Sequence, residues 1–111
     1  MDITTKQYRR CDVVKMKGRI DRQTAQGLKD TFNAITDGGR FRIVFDMSEV
    51  EFISSIGIWT LLETQKKCKR YNRGELVIAC VNEKIQYTLD LAGLIHFFKI
   101  YDDILDAVGS Y

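Results

Sequence analysis

The sequence predicts a single α/β domain: a small mixed, mostly parallel sheet with an antiparallel N-terminal edge, packed with about four helices. The chain has 111 residues, of which 45% are hydrophobic, and this suits one domain with one core. Segments rich in β-formers alternate with segments of helical apolar spacing in the order ββαβαβαβα. Such alternation is typical of parallel strands joined by crossover helices. We therefore expect one domain over residues 1–111.

The N-terminal part predicts a hairpin. Residues 3–8 and 13–16 have the composition of short strands. The polar turn Arg9-Arg10 between them is too short for a crossover, so the two strands should pair antiparallel at one edge of the sheet. Residues 18–21 are expected to lead from the second strand into the first helix.

An apolar stripe at helical spacing predicts the first helix. Asp21 or Thr24 is expected to cap its start, and the pair Gly38-Gly39 to end it. The stripe consists of Ala25, Leu28, Phe32 and Ile35.

The middle of the chain predicts two buried strands around a second helix. Residues 41–45 read as a central strand, followed by a brief crossing segment over residues 47–53. The second helix is expected over residues 55–72, with Gly74 as its stop signal, and residues 76–80 form the next strand. The predicted inward side of this helix consists of Ile58, Leu61, Leu62, Gln65 and Cys68.

The C-terminal third predicts a helix, a strand and a short final helix. Asn82 is expected to cap the third helix, which should end at Gly93. Residues 97–101 are predicted as the last strand, and Asp102 and Asp103 as the start of the C-terminal helix.

Scarce residue types argue against catalysis by this chain. Cys11, Cys68 and Cys80 are odd in number and lack CxxC spacing, so we expect three reduced thiols, two of them in the core. The single histidine, His96, has apolar neighbours and is expected to be packed or at an exposed edge. Most nucleophilic and catalytic metal sites in this chain would have to use this histidine. The sequence contains no phosphate-binding loop, and this argues against a small nucleotide hydrolase. We expect no enzymatic activity, cofactor or bound metal.

Charge and hydropathy favour a cytoplasmic protein that binds neither nucleic acid nor membrane. Seventeen Lys and Arg against fifteen Asp and Glu leave a net charge of +2, which is too small to indicate nucleic-acid binding. No segment has the roughly 20 apolar residues that span a bilayer, and residues 1–10 lack the apolar run of a signal peptide.

A basic cluster follows the middle of the second helix. We interpret it as a solvated face that matches the helix dipole and could steer an acidic partner. Nucleic-acid binding would need more stacking aromatic side chains than Tyr71 alone. The cluster consists of Lys66, Lys67, Lys69, Arg70 and Arg73.

Two adjacent hydroxyls begin the second helix. Ser54 is a good N-cap residue, and Ser55 then lies in the first turn, where unpaired amides and the helix dipole favour negative charge. A phosphate on Ser55 would add about −1.5 to −2 charge without unfolding the helix. From these residues alone, the pair is either a simple cap or a modification site.

Four segments together resemble the STAS domain of bacterial anti-sigma-factor antagonists, in order and spacing over essentially the whole chain. The segments are Gly18-x-Ile20-Asp21-x-x-Thr24, Ile-Val-Phe-Asp-Met-Ser at residues 43–48, Phe-Ile-Ser-Ser-Ile-Gly-Ile at residues 52–58, and Leu-Ala-Gly-Leu at residues 91–94.

The resemblance implies a protein-binding module that acts in signal transduction and transcription regulation. Such proteins bind an anti-sigma factor that is also a serine kinase, and so free a sigma factor. Phosphorylation of a Ser at the start of the second helix ends the binding, and a serine phosphatase restores it. The ATP and magnesium belong to the kinase. By the same resemblance, we expect a monomer that forms heterocomplexes by partner switching.

The family motif Asp-Ser-Ser/Thr-Gly, counted back from Gly57, assigns the phosphorylated position to Ser55. Ser54 stands where the family has Asp, and Ile56 where it has Ser or Thr. Trp59 replaces the small residue of many members and is expected either to be an exposed binding anchor or to pack against a loop.

The implied partner-binding surface includes Asp21, whose family position lies near the partner, although a capping role explains it as well. Its other members are Ser54, Ser55, Ile56, Gly57, Ile58 and Trp59. The two departures from the motif also favour an alternative, in which the chain is an unphosphorylated STAS scaffold subunit of a transporter or signalling complex.

Overall fold

A five-stranded sheet forms the centre of the protein in the computed structural model, which describes residues 2–111. The strands are Ile3–Gln7 (β1), Asp12–Ile20 (β2), Arg42–Ile53 (β3), Glu75–Ala79 (β4) and Ile100–Tyr101 (β5). The α-helices are Ala25–Asp37 (α1), Ser55–Lys69 (α2), Glu83–Leu91 (α3) and Ile104–Gly109 (α4). Arg70–Asn72 and Leu94–His96 form short 3₁₀ turns.

The strands lie side by side in chain order, and this confirms the predicted mixed, mostly parallel sheet. β1 pairs antiparallel with β2, whereas the three pairs from β2 to β5 are parallel. Each parallel pair is joined by one helix, as the alternation of the sequence predicts.

The two faces of the sheet are covered unequally. The larger core packs α1, α2 and α3 against one face, where Phe32 meets Phe45 edge to face with ring centroids 5.5 Å apart. The smaller core lies on the opposite face, where Ala107 of α4 packs on Val44 and Val77. Because successive residues of a strand point to opposite faces, central strands buried on both sides are continuously apolar.

β3 is a single long strand, so the predicted crossing segment over residues 47–53 is wrong. This stretch pairs with the second half of β2, where Gly18 lies opposite Val50 and Ile20 opposite Ile53. β2 accordingly extends to Ile20, past the point where a lead into α1 was expected. The pairing with β4 ends at Asp46, so the remainder of β3 has a neighbour on one side only. Its exposed polar residues therefore obscured the strand in the sequence.

Two other predicted elements are shorter in the structure. α2 ends at Lys69 rather than Asn72, because Tyr71 and Asn72 adopt left-handed conformations (φ 59° and 56°) that break the helix. The last strand is reduced to Ile100–Tyr101, and the 3₁₀ turn Leu94–His96 precedes it.

The capping prediction holds for α3, and α4 begins after Asp103, close to the predicted start. The Asn82 side chain accepts a hydrogen bond from the Ile85 amide at 2.8 Å, and Asp103 accepts one from the Asp106 amide at 2.8 Å. For α1, Thr24 is the N-cap residue but its side chain forms no capping bond.

The thiols and the histidine lie as the sequence predicts. Cys11 and Cys68 are buried and Cys80 is half-buried, all three as free thiols. Burial raises the pKa of Cys68 to about 11, so this thiol stays protonated at neutral pH. His96 is exposed at the 3₁₀ turn before β5. Within residues 2–111, no helix is both long and apolar enough to cross a bilayer.

Gln65 links three parts of the fold through one buried amide. Its Nε2 donates to the Leu76 carbonyl at 3.0 Å and to the Phe97 carbonyl at 2.7 Å, and its Oε1 accepts from the Leu76 amide at 2.6 Å. This side chain therefore ties α2 to β4 and to the segment that enters β5.

We expect Gln65→Leu to lower the free energy of unfolding by about 2–4 kcal/mol, because it leaves buried backbone groups without partners. Urea unfolding followed by circular dichroism measures this loss. Thr64→Val is the matched control: Thr64 is equally buried, but its hydroxyl bonds only to the Thr60 carbonyl of its own helix. Equal losses in the two variants would contradict the linking role of Gln65.

Candidate functional site

The Ser54-Ser55 pair lies at the edge of the sheet where β2 and β3 end. Ile20 and Ile53 are opposite each other in the parallel ladder, so the residues that follow them emerge at the same edge. The Ser54 amide donates to the Ile20 carbonyl at 2.8 Å. This hydrogen bond connects the start of α2 to the end of β2.

Ser54 caps α2 as the sequence predicts. Its backbone is extended (φ −86°, ψ 172°), its carbonyl accepts from the Ile58 amide at 3.0 Å, and its Oγ accepts from the Gly57 amide at 3.4 Å. Ser55 is consequently the first residue of the helix, and its side chain is exposed. The amides of Ser55 and Ile56 have no acceptor within the helix, because they belong to its first turn.

Gly57 is buried against the two strand ends. A Cβ atom at this position would lie 2.6 Å from Cγ2 of Ile20 and 2.7 Å from Cγ1 of Ile53, distances that real Cβ contacts do not reach. Only a glycine therefore lets the first turn of α2 approach the sheet this closely. Ile58 is half-buried beside the main core, so the inner side of this turn is apolar.

The outer side of the same turn exposes apolar side chains next to Ser55. Ile56 is 41% exposed and Trp59 is 60% exposed. Trp59 follows Ser55 by four residues, so the two lie on one face of the helix. Of the two placements considered for Trp59, the structure shows the exposed one.

Two surface grooves meet at Trp59. One runs between α1 and α2 and is bordered by Arg22, Gln26, Lys29, Ile56 and Glu63. The other lies on the opposite side of α2 and is mostly apolar, with Leu62, Leu94 and Phe97 beside the positive side chains of Lys66, Lys69 and Arg70. The Trp59 side chain therefore lines both grooves.

Asp21 lies at the same edge of the sheet, in the turn between β2 and α1. One carboxylate oxygen, Oδ1, accepts from the Gln23 amide at 3.0 Å and from the Thr24 amide at 3.2 Å. The Asp21 amide in turn donates to Thr24 Oγ1 at 2.9 Å. Asp21 therefore orders the turn before α1, and any partner contact would be additional to this role.

The basic cluster of α2 divides into separate environments. Lys67 donates to Asn33 Oδ1 of α1 at 2.6 Å, which leaves Lys66 and Lys69 on the rim of the apolar groove. Arg73 lies beyond the helix, with its guanidinium 3.7 Å from the centre of the Phe41 ring. Three of the five residues, Lys66, Lys69 and Arg70, thus border the apolar groove, whereas Arg73 packs on Phe41.

Some residues at this edge were missed by the sequence analysis. Phe52 is exposed beside the start of α2, and the Arg19 guanidinium lies 4.2 Å from the centre of its ring. Leu94 and Phe97 complete the apolar groove from a turn that follows Leu62 by 32 residues or more. The alternation of β2 and β3 could have identified Arg19 and Phe52, but no local pattern points to the other two.

The edge supplies an exposed hydroxyl and apolar contact area, and little else that is chemically reactive. Across residues 2–111, no group of three or more His, Cys, Asp or Glu side chains is arranged to hold a metal ion. His96, the single histidine, lies in the turn before β5 rather than beside Ser55. The exposed Ser55 residue therefore lies beside exposed apolar side chains at the start of α2.

Comparison with known proteins agrees with this description. A family model described as the STAS domain matches residues 2–107. A Bordetella bronchiseptica protein, BtrV, described as a candidate anti-sigma factor antagonist, is 25% identical over 86% of this chain and 82% of its own length. The crystal structure of a Mycobacterium paratuberculosis anti-sigma factor antagonist is 26% identical, with a TM-score of 0.83 over 97% of this chain and 91% of that one. A candidate antagonist from Thermotoga maritima is 23% identical and shares the fold, with a TM-score of 0.90 over 97% of this chain and 92% of that one.

We expect Gly57→Ala to lower the free energy of unfolding by about 1–3 kcal/mol, because the added methyl group overlaps Ile20 and Ile53. Thermal or urea unfolding of the purified variant measures the effect. Gly109→Ala is the control, since a Cβ there meets no atom within 4 Å. If both variants keep the stability of the parent chain, α2 does not depend on close contact at Gly57.

Proposed function

Because the chain belongs to the STAS domain family, we propose that it is an anti-sigma factor antagonist, switched off by phosphorylation of Ser55. In this proposal it binds an anti-sigma factor that is also a serine kinase, and a sigma factor is released. The observation that carries the proposal is the exposed Ser55 hydroxyl on the first residue of α2, two positions before Gly57. The relatives described as antagonists support it at 25% and 26% identity.

The proposed docking surface is the outer side of the first two turns of α2. Ile56 and Trp59 supply the apolar contact area, and the Ser55 hydroxyl lies beside them on the first residue of the helix. A large aromatic side chain that becomes fully buried on binding is a typical energetic anchor. Asp21 and Ser54 border this surface at the ends of the strands, where their polar groups already serve the fold.

The phosphorylation step uses chemistry that the kinase supplies. The Ser55 oxygen attacks the γ-phosphorus of kinase-bound ATP, the bond to the ADP oxygen breaks, and the serine proton leaves to a base of the kinase. ATP and magnesium therefore stay with the partner, and this chain needs no cofactor. A serine phosphatase reverses the step by hydrolysis of the phosphoester.

A phosphate at Ser55 is compatible with the fold but not with the proposed interface. The start of α2 offers the uncommitted amides of Ser55 and Ile56 and the positive end of the helix dipole, so the modified helix remains stable. The same phosphate carries about −1.5 to −2 charge beside Ile56 and Trp59. Burying these apolar groups under a partner would then require desolvation of a dianion, which disfavours the complex.

Ser55→Ala should abolish phosphate incorporation by the cognate kinase, because it removes the acceptor oxygen. Incubation with kinase, ATP and magnesium, followed by peptide mass spectrometry, measures incorporation and its position. Ser54→Ala is the matched control: it removes the neighbouring hydroxyl, costs about 1 kcal/mol of helix capping and should leave the modification at Ser55. Phosphate incorporated equally into the Ser55→Ala variant would show that the acceptor lies elsewhere.

Ser55→Asp should weaken binding to the same anti-sigma factor by roughly tenfold or more, since a charge must be desolvated in the interface. Ser55→Ala should bind about as well as the parent chain. Calorimetric titration of each variant into the nucleotide-bound partner compares them. Unchanged affinity of Ser55→Asp would favour the alternative function, an unphosphorylated scaffold subunit.

Trp59→Ala should weaken the same complex by roughly tenfold or more while the free protein keeps its stability, because the indole ring is largely exposed before binding. Tyr87→Ala is the control, as Tyr87 is 63% exposed on α3. An equal effect of the two substitutions on affinity would remove Trp59 from the proposed interface.

A further inference from the structure

A second concave site lies at the opposite edge of the sheet, where β2 and β3 begin. It is a pocket of about 320 Å³ between the β1–β2 turn, the α1–β3 loop and the turn that precedes β4. Five of its nine lining residues are arginines: Arg9, Arg10, Arg40, Arg42 and Arg73. We call it the arginine pocket.

Positive charge exceeds negative charge among the residues that line this pocket. Asp12 is its single acidic lining residue, and it is buried and paired with Arg40. The chain has 17 Lys and Arg and 15 Asp and Glu, so outside the pocket twelve basic residues face fourteen acidic ones. The net positive charge of the protein is therefore located in the pocket, whereas the remainder is slightly acidic.

Two of the arginines are held in place by the fold. Arg40 binds the Asp12 carboxylate and the backbone carbonyls of Tyr8 and Cys11. Arg73 donates to the Lys67 carbonyl at 2.9 Å, and its guanidinium stacks on Phe41. These contacts form the rigid part of the pocket wall.

The turn that presents Arg73 has little conformational freedom. It passes through the left-handed residues Tyr71 and Asn72, which cost free energy in non-glycine residues. It ends at Gly74, where a Cβ atom would lie 2.2 Å from the Phe41 carbonyl oxygen. The close approach of this turn to the α1–β3 loop thus fixes the distance between Arg73 and the other arginines.

Other guanidinium groups in the pocket retain unused donors. Arg9 and Arg42 are exposed and, within residues 2–111, take part in no hydrogen bond or ion pair. Arg10 forms a single bond, to the Tyr111 carbonyl at 3.4 Å. Planar guanidinium forks of this kind match the paired oxygens of phosphate groups.

We propose that the arginine pocket binds a small anion with two or more linked phosphoryl groups. Its volume admits a small ligand, and within residues 2–111 four of its five arginines have no ion-pair partner, a charge that exceeds the roughly −2 of one phosphate. Nucleic acid is disfavoured because Phe41 is the single aromatic residue that lines the pocket, and the Arg73 guanidinium lies over one face of its ring. The site is distant from Ser55 and does not depend on the proposed antagonist function.

The test is calorimetric titration of the full chain with sodium pyrophosphate and tripolyphosphate, with sodium sulfate at equal ionic strength as the reference anion. ATP and GTP form a second arm that separates the two sources of a linked phosphate. The variant Arg9→Gln/Arg42→Gln removes two uncommitted arginines. The variant Lys17→Gln/Lys84→Gln removes the same charge from exposed positions on β2 and α3, outside the pocket.

We expect saturable binding of tripolyphosphate with one ligand per chain, weakened roughly tenfold or more in the arginine variant and nearly unchanged in the lysine variant. If ATP or GTP binds more tightly than tripolyphosphate, the ligand is a nucleotide. If the affinities are equal, the pocket recognises the phosphate chain alone. The proposal is overturned by equal weakening in both variants, by binding no tighter than sulfate, or by affinity shown for anionic vesicles or RNA but not for these small anions.

Discussion

The close contact between the first turn of α2 and the ends of β2 and β3 determines how this protein presents its surface. Gly57 lies against Ile20 and Ile53 at a distance that excludes any side chain, and the Ser54 amide is bonded to the Ile20 carbonyl. Since the inner side of the turn is fixed by packing, the rotation of the helix about its axis is fixed as well. Ser55 and Trp59 are outward-facing as a consequence.

The two edges of the sheet present opposite chemistry because parallel strands bring all their starts together and all their ends together. The edge where β2 and β3 end carries a neutral hydroxyl and exposed apolar side chains, which suit a protein partner. The edge where they begin gathers arginines that are up to 64 positions apart in the chain, from Arg9 to Arg73. One small sheet thereby separates the proposed docking surface from the proposed anion-binding pocket.

The predictability of each feature depends on how local its cause is. The start of α2 could be predicted because Ser54, Gly57 and the following helix interact within four residues. The second half of β3 could not, since its strand character comes from pairing with β2 on one side only. The arginine pocket had no sequence signal for a similar reason: Arg9 and Arg10 alone have the composition of a polar turn. The apolar groove of Leu94 and Phe97 likewise arises only when the chain folds back on α2.

The replacement of the family Asp by Ser54 separates two roles that a carboxylate would combine. Capping needs only an oxygen that accepts from the Gly57 amide, and the Ser54 hydroxyl provides one at 3.4 Å. A carboxylate at this position would also stand next to a phosphate on Ser55 and repel it, whereas a neutral hydroxyl does not. Ser54 therefore preserves the helix start, but it lacks the carboxylate charge by which a kinase could recognise the site. Under the proposed function, the departures at Ser54 and Ile56 would change recognition by the kinase, whereas the Ser55 hydroxyl keeps its place in the first turn of α2.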